Sequence, residues 1–171
     1  MVEIRCEFVL GCDFEEFKRY LTKIGLYKKE GELDKLETFL RNGLFNLIAW
    51  RRDGEIVGHA IWHETNSEEH RKCDPRDEED REALRKLLGG KRDFVELHEV
   101  WLTEEHRGKG YGKRFFEFFE EFMRDKGYDR VVFYANHQAA LAICRGRGYR
   151  EGGSVNIEGT AEYVFYLPLK K

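Results

Sequence analysis

The sequence predicts an α/β (α+β) fold: a mixed, mostly antiparallel twisted sheet of about six to seven strands, flanked by about four helices and carrying a helical insert. Three observations predict it. Apolar runs of strand type alternate with stretches of helical period. Asp53-Gly54 separates two strand-like runs, the signature of a hairpin. The element order, β-α-α-β-β-insert-β-α-β-α-β-β, interleaves strands and helices and so puts helices on the faces of a sheet.

The elements follow in order. "VEIRCEFV" opens the chain as a strand. Asp13 caps a helix through about Ile24, with Phe14, Phe17, Tyr20 and Leu21 on one face and Gly25 as its stop. "ELDKLETFL" is a second short helix, closed at Asn42-Gly43. "LFNLIAW" and "EIVGHAIW" form the hairpin around "RRDG". Residues 64–93 are highly charged and hold one of two prolines. From about Asp77 to Leu88 they read as a helix with Ala83, Leu84, Leu87 and Leu88 on its apolar side, an excursion too short to own a core. "DFVELHEVWL" is a strand, followed by a glycine stretch and a helix that ends at Gly127. "DRVVFYA" is a buried strand, "HQAALAICR" a short helix stopped by Gly146, and "GGSVNI" with "AEYVFYLPL" a terminal hairpin.

At 171 residues the chain is long enough to bury its own core, and the simplest reading is one domain over residues 1–171. A net charge of −3 argues against a general nucleic-acid binder. No apolar run approaches a membrane span, and the start lacks a secretory pattern, so neither membrane nor export is expected. Dense charge of both signs matches a thermophilic composition as well as an ordinary solvated surface. Four cysteines (Cys6, Cys12, Cys73, Cys144) form no CxxC, which points to free thiols and a cytoplasmic protein. His70 and Cys73 make one pair three residues apart, which is not a zinc site, and no metal is expected.

The stretch "HRGKGYGKRFFEFFEEF", His106–Phe122, sets three glycines and several cations directly ahead of a strong helix. A helix start offers unpaired N–H groups and partial positive charge, and glycines let an anion approach the backbone. It is not a Walker A loop: Arg107 stands where that motif needs glycine, and Arg114 where it needs Ser or Thr. The glycines at 108, 110 and 112 do not fit the dinucleotide fingerprint either. They fit R-x-x-G-x-G, with Arg107, Gly110 and Gly112 between a strand and a helix.

On these residues the sequence resembles the GNAT superfamily of acetyl-coenzyme A-dependent N-acetyltransferases. "VWLTEEHRGKGYGKRF" is similar to the family's coenzyme-binding motif and "NHQAALAICRGRGY" to its second motif. The resemblance implies acetyl-coenzyme A as co-substrate. The backbone of Arg107, Gly108, Lys109, Gly110, Tyr111, Gly112 and Lys113 would cradle its pyrophosphate. The edge of Val100, Trp101 and Leu102 would pair with the pantetheine arm. Asn136 or His137 would hold the coenzyme's amides, although capping the next helix is an equal use for Asn136.

Acetyl transfer to an amine needs a base, a polarised carbonyl and a proton for the departing thiolate. Glu96 and His98 are two apart and share a face of a regular strand, and family bases commonly sit on this strand. Glu99 points to the other face unless a bulge intervenes. A backbone N–H near Val100 to Leu102 would meet the oxyanion. For the acid, the family's tyrosine position falls on Cys144, which is either a catalytic thiol or a buried inert one. Tyr134 and Tyr149 are substitutes, though aromatics there are more often core. The expected activity is direct acetyl transfer to a primary amine of a small molecule, peptide or protein, with a homodimer admitted. The rival from another class is a coenzyme-binding regulatory module without turnover. A transferase of another acyl group is the second. The excursion at 64–93 is expected on the acceptor side.

Overall fold

The structure is a computed structural model, and it describes residues 5–71 and 74–169. The beginning of the first expected strand and Cys73 lie outside the described residues. Seven strands make one sheet in the order β1-β2-β3-β6-β7-β9-β8, and two short strands pair as β4-β5. The chain divides into two compact units: residues up to Trp62 with Glu99–Tyr111, and His63–His98 with Gly112 onward.

In the first unit, β1 (Glu7–Leu10) pairs antiparallel with β2 (Asn46–Arg52), and β2 with β3 (Glu55–Asn66). Asp53 and Gly54 take positive φ at the β2–β3 turn, as the Asp-Gly pair predicts. Helix α1 (Phe14–Ile24) starts where the Asp13 carboxylate accepts from the Glu16 N–H and ends at left-handed Gly25. Its buried Phe17, Tyr20 and Leu21 pack with Leu36 of α2 (Glu32–Arg41), Phe45 and Ile61. Arg51 clamps Glu16 through two hydrogen bonds of 2.6 and 3.0 Å.

In the second unit, β4 (Glu69–Arg71) and β5 (Asp74–Pro75) precede α3 (Glu78–Leu88), which is capped by Asp77 and closed by left-handed Gly89. Strand β6 (Asp93–Leu102) begins here, and its Val95–Leu97 pair in parallel with Val131–Phe133 of β7 (Arg130–Ala135). β7 pairs antiparallel with β9 (Thr160–Pro168), and β9 with β8 (Arg150–Ile157). Leu84 and Leu88 of α3 are buried with Phe94, Val132, Val164 and Tyr166. The charged excursion is therefore part of this unit's core, because its helix has an apolar side that covers the sheet.

Helix α4 (Tyr111–Asp125) buries Phe115, Phe116, Phe119 and Met123. Helix α5 is Gln138–Gly146, so it runs through Gly146; the left-handed residue beyond it is Gly148, with φ +78°. Its N-cap is His137, whose Nδ1 accepts from the Ala139 N–H, and Asn136 is not the cap. Arg147 holds buried Glu120 of α4 in a fork of 2.7 and 2.8 Å, and the Tyr149 hydroxyl donates to the same carboxylate.

Candidate active site

Two carboxylates on β6 organise the polar chemistry. Glu96 is 1% exposed. One of its oxygens, Oε1, accepts from Arg76 Nη2 at 2.7 Å. The other, Oε2, is 3.2 Å from His63 Nε2 and 3.4 Å from His98 Nδ1. Burial pushes its pKa up, but the Arg76 guanidinium and the hydrogen bonds from His63 and His98 outweigh it and hold it well below the usual range. These partners favour the charged form of an enclosed carboxylate, a setting that suits an orienting role more than that of a base.

His98 is different. Its side chain is 26% exposed, and its Nδ1 faces Glu96. A proton on Nδ1 donated to the carboxylate leaves Nε2 with its lone pair, the arrangement in which an acid orients an imidazole base.

Arg76 comes from the excursion and is buried. It also pairs with Asp80 at 2.9 Å, and Tyr134 donates to Asp80 at 2.6 Å. Burial pushes the Tyr134 hydroxyl well above its ordinary range, with further upward pushes from Glu96 and Asp80. Tyr149 is raised likewise by burial and by Glu120. Both phenols are committed to carboxylates, which disfavours them as acids. Cys144 is 0% exposed, and burial with the Glu120 charge pushes its thiol up to about 12. These surroundings suit packing rather than proton donation and favour the buried, inert reading of Cys144 over the catalytic thiol.

Glu99 has its own network. Tyr27, held at φ +57°, donates to both carboxylate oxygens at 3.0 Å. His59 Nε2 lies 2.5 Å away, and the Tyr20 hydroxyl meets His59 Nδ1 at 2.9 Å. Tyr27 is a non-glycine residue in a left-handed conformation, which costs free energy and is maintained where a side chain must be aimed.

The glycine stretch follows β6. Gly108 and Gly110 have φ of +76° and +81°, and α4 begins at Tyr111. Left-handed residues that alternate with one of negative φ, as Gly108 and Gly110 do about Lys109, turn backbone N–H groups toward one concave side. Gly112 has another reason: a Cβ there would come 3.2 Å from Ile143 Cδ1. Tyr111 is buried, so only its backbone can serve a ligand. The Arg107 side chain folds back, donating to the Leu102 carbonyl at 2.9 Å with its guanidinium 5.0 Å from the Trp101 ring. A cavity of about 440 Å³ lined by Asp93, Phe94, Asp129 and Arg130, among others, opens at the starts of β6 and β7, whereas His98 lies in the second half of β6.

Sequence reasoning missed His63, Arg76 and Asp80. Two signals could have found the first two. His59 and His63 interrupt an apolar strand run at same-face spacing, and histidines there are buried and need partners. Arg76 sits alone among acids in "DPRDEED".

The model of the acetyltransferase (GNAT) family matches residues 12–149. The chain belongs to that family and is an acyltransferase. No curated protein matches it in sequence. Among solved structures, an agmatine N-acetyltransferase is similar with a TM-score of 0.67 at 14% identity, covering 98% of this chain and 100% of its own. A polyamine N-acetyltransferase of Drosophila melanogaster gives 0.65 at 14%, covering 96% and 100%. A chain of the NatC complex bound to Gag peptide and CoA gives 0.63 at 14%, covering 98% and 100%. At such identities the likeness establishes the fold.

Proposed function

We propose that the chain is an N-acetyltransferase that passes the acetyl group of acetyl-coenzyme A directly to a primary amine, with His98 as the base. The observation that carries this reading is the pairing of a buried, ionised Glu96 with the partly exposed imidazole of His98. An alkyl ammonium has a pKa of about 10, so at neutral pH the acceptor must lose a proton before it attacks. His98 Nε2 takes that proton. The amine nitrogen then bonds to the thioester carbonyl carbon, the C–S bond breaks, the nitrogen gives its second proton to solvent, and the departing thiolate takes one up. Gln at position 96 would keep the shape but lose the charge that favours the imidazolium formed in this step.

The coenzyme pyrophosphate is placed on the backbone N–H groups of residues 107–113, and the pantetheine arm along Val100, Trp101 and Leu102. Left-handed Gly108 and Gly110 ahead of α4 support the first placement. Arg107 acts there by bracing the stretch against Leu102 and Trp101. Asn136 and His137 are exposed beyond β7 and are kept as contacts to the coenzyme's amides, His137 through the ring edge its cap leaves over. Solved relatives described as agmatine and polyamine acetyltransferases support an amine acceptor, and one bound to CoA supports the coenzyme.

A second reading makes Glu99 the base, favoured by its partial exposure and by the Tyr27 and His59 contacts that fix it. The test of the activity is thiol release from acetyl-coenzyme A across polyamines, amino acids, aminoglycosides and peptide N-termini. Release that rises with one class of amine is expected. Tight coenzyme binding with no amine-dependent release from any acyl-coenzyme A would overturn it.

A further inference from the structure

Three histidines gather around one oxygen of Glu96. His63 Nε2 and His98 Nδ1 lie 3.2 and 3.4 Å from Oε2, and the three donor atoms all fall within 4.8 Å of one another. A zinc ion held tetrahedrally by bonds of about 2.0–2.1 Å sets its donors about 3.3–3.4 Å apart. Two edges of the cluster therefore already have the length that a metal would impose. His70 Nδ1 stands 4.0 Å from the same oxygen, its ring 6.1 Å from that of His63 and 5.7 Å from that of His98.

The surroundings suit ligation. Arg76 holds Glu96 Oε1, which leaves Oε2 turned to the histidines. His63 Nδ1 is 3.5 Å from the Glu64 carbonyl, so the tautomer with its proton there offers Nε2 as a lone pair. Outer partners of these two kinds orient metal ligands and fix their tautomers. The charge balance points the same way. One guanidinium, Arg76, faces two carboxylates, Glu96 and Asp80. Burial raises the pKa of a third acid, Glu162, and the Glu96 charge raises it further. A cation neutralises that surplus, and imidazole with carboxylate suits zinc and its divalent neighbours.

We propose that His63 Nε2, Glu96 Oε2 and His98 Nδ1 bind a divalent transition-metal ion of the zinc type, with His70 Nδ1 as fourth ligand after a small ring movement. Acetyl transfer needs no such ion, and the site does not depend on the functional reading. If His98 is the base, a metal on Nδ1 leaves the ring proton on Nε2, and the loaded form loses its acceptor.

The test titrates the full chain, free of added histidines and stripped with chelator, with Zn²⁺ by calorimetry and Co²⁺ by visible absorption. One ion per chain is expected, with the cobalt bands of a four-coordinate nitrogen and oxygen site. His98→Ala should weaken binding by at least about 10–100-fold, the loss that even an outer partner causes. His98 is partly exposed, so this variant should fold, and His98→Asn serves if circular dichroism shows otherwise. A weaker affinity in His70→Ala supports the fourth ligand, and an unchanged one removes it. Absence of a saturable site, a thiolate-to-cobalt band, or parent-like affinity in the His98 variant would overturn the proposal.

Discussion

At Glu96 two large effects oppose each other. Burial disfavours the charge, and the Arg76 guanidinium with two imidazoles restores it. Breaking a buried pair by removing one partner typically costs about 3–5 kcal/mol, and Arg76→Met should cost that much by urea unfolding at neutral pH. The sign with pH follows from the depressed pKa. An unfolded glutamate titrates at about 4.3. The parent's Glu96 therefore contributes stability above that value and loses it as pH falls through the lower folded pKa. The gap between parent and Arg76→Met should be widest near neutrality and close in acid; a gap that does not change with pH would mean that the ion pair is not its source. Cys144 gives a second test at this scale. With no exposure and a pKa raised to about 12, its thiol should resist alkylation in the folded protein whether or not coenzyme is bound. Cys144→Tyr should overpack the core and lower stability by about 1–3 kcal/mol. Rapid labelling of Cys144 in the native state would contradict this.

Turns and caps show which elements were legible. Asp13, Gly25 and Asp53-Gly54 act where local chemistry predicts, because capping and left-handed geometry depend on neighbours in sequence. What local chemistry could not supply was partnership across elements. The excursion reads as a solvated run, yet its Arg76 is buried against Glu96, twenty residues further on in β6. No periodicity marks that contact. The end of α5 was missed by one residue, because Gly146 adopts helical geometry there and Gly148 makes the turn. Two glycines carry predictions. A Cβ on Gly58 would lie 2.7 Å from the Trp101 carbonyl oxygen, so Gly58→Ala should force β3 and β6 apart locally and cost about 1–3 kcal/mol. Unchanged thermal stability would refute the close approach. Gly110 has open space around its missing Cβ but a φ of +81°. Gly110→Asp therefore tests the ligand more than the fold: backbone strain of about 1–2 kcal/mol is expected, together with loss of coenzyme binding, since the carboxylate would stand where phosphate is placed. A folded variant that binds coenzyme as the parent does would move the pyrophosphate elsewhere.

At the scale of the whole fold, the strand order and the five α-helices of the described residues, with the family, agree with the fold that the element order and the glycine motif imply. The class of chemistry was legible because a glycine-rich turn between a strand and a helix is a local device. The base was not, since burial and charge rather than residue type separate Glu96 from His98, and neither is written in a strand's alternation. The central claim is that His98, braced by ionised Glu96, takes the proton of the acceptor amine. It is tested most directly by the turnover number of His98→Ala on an amine that the parent accepts, measured with saturating acetyl-coenzyme A. A fall of about 10²-fold, the scale of a lost general base, is expected, with coenzyme affinity unchanged. Turnover equal to the parent's would contradict it and give the role to Glu99.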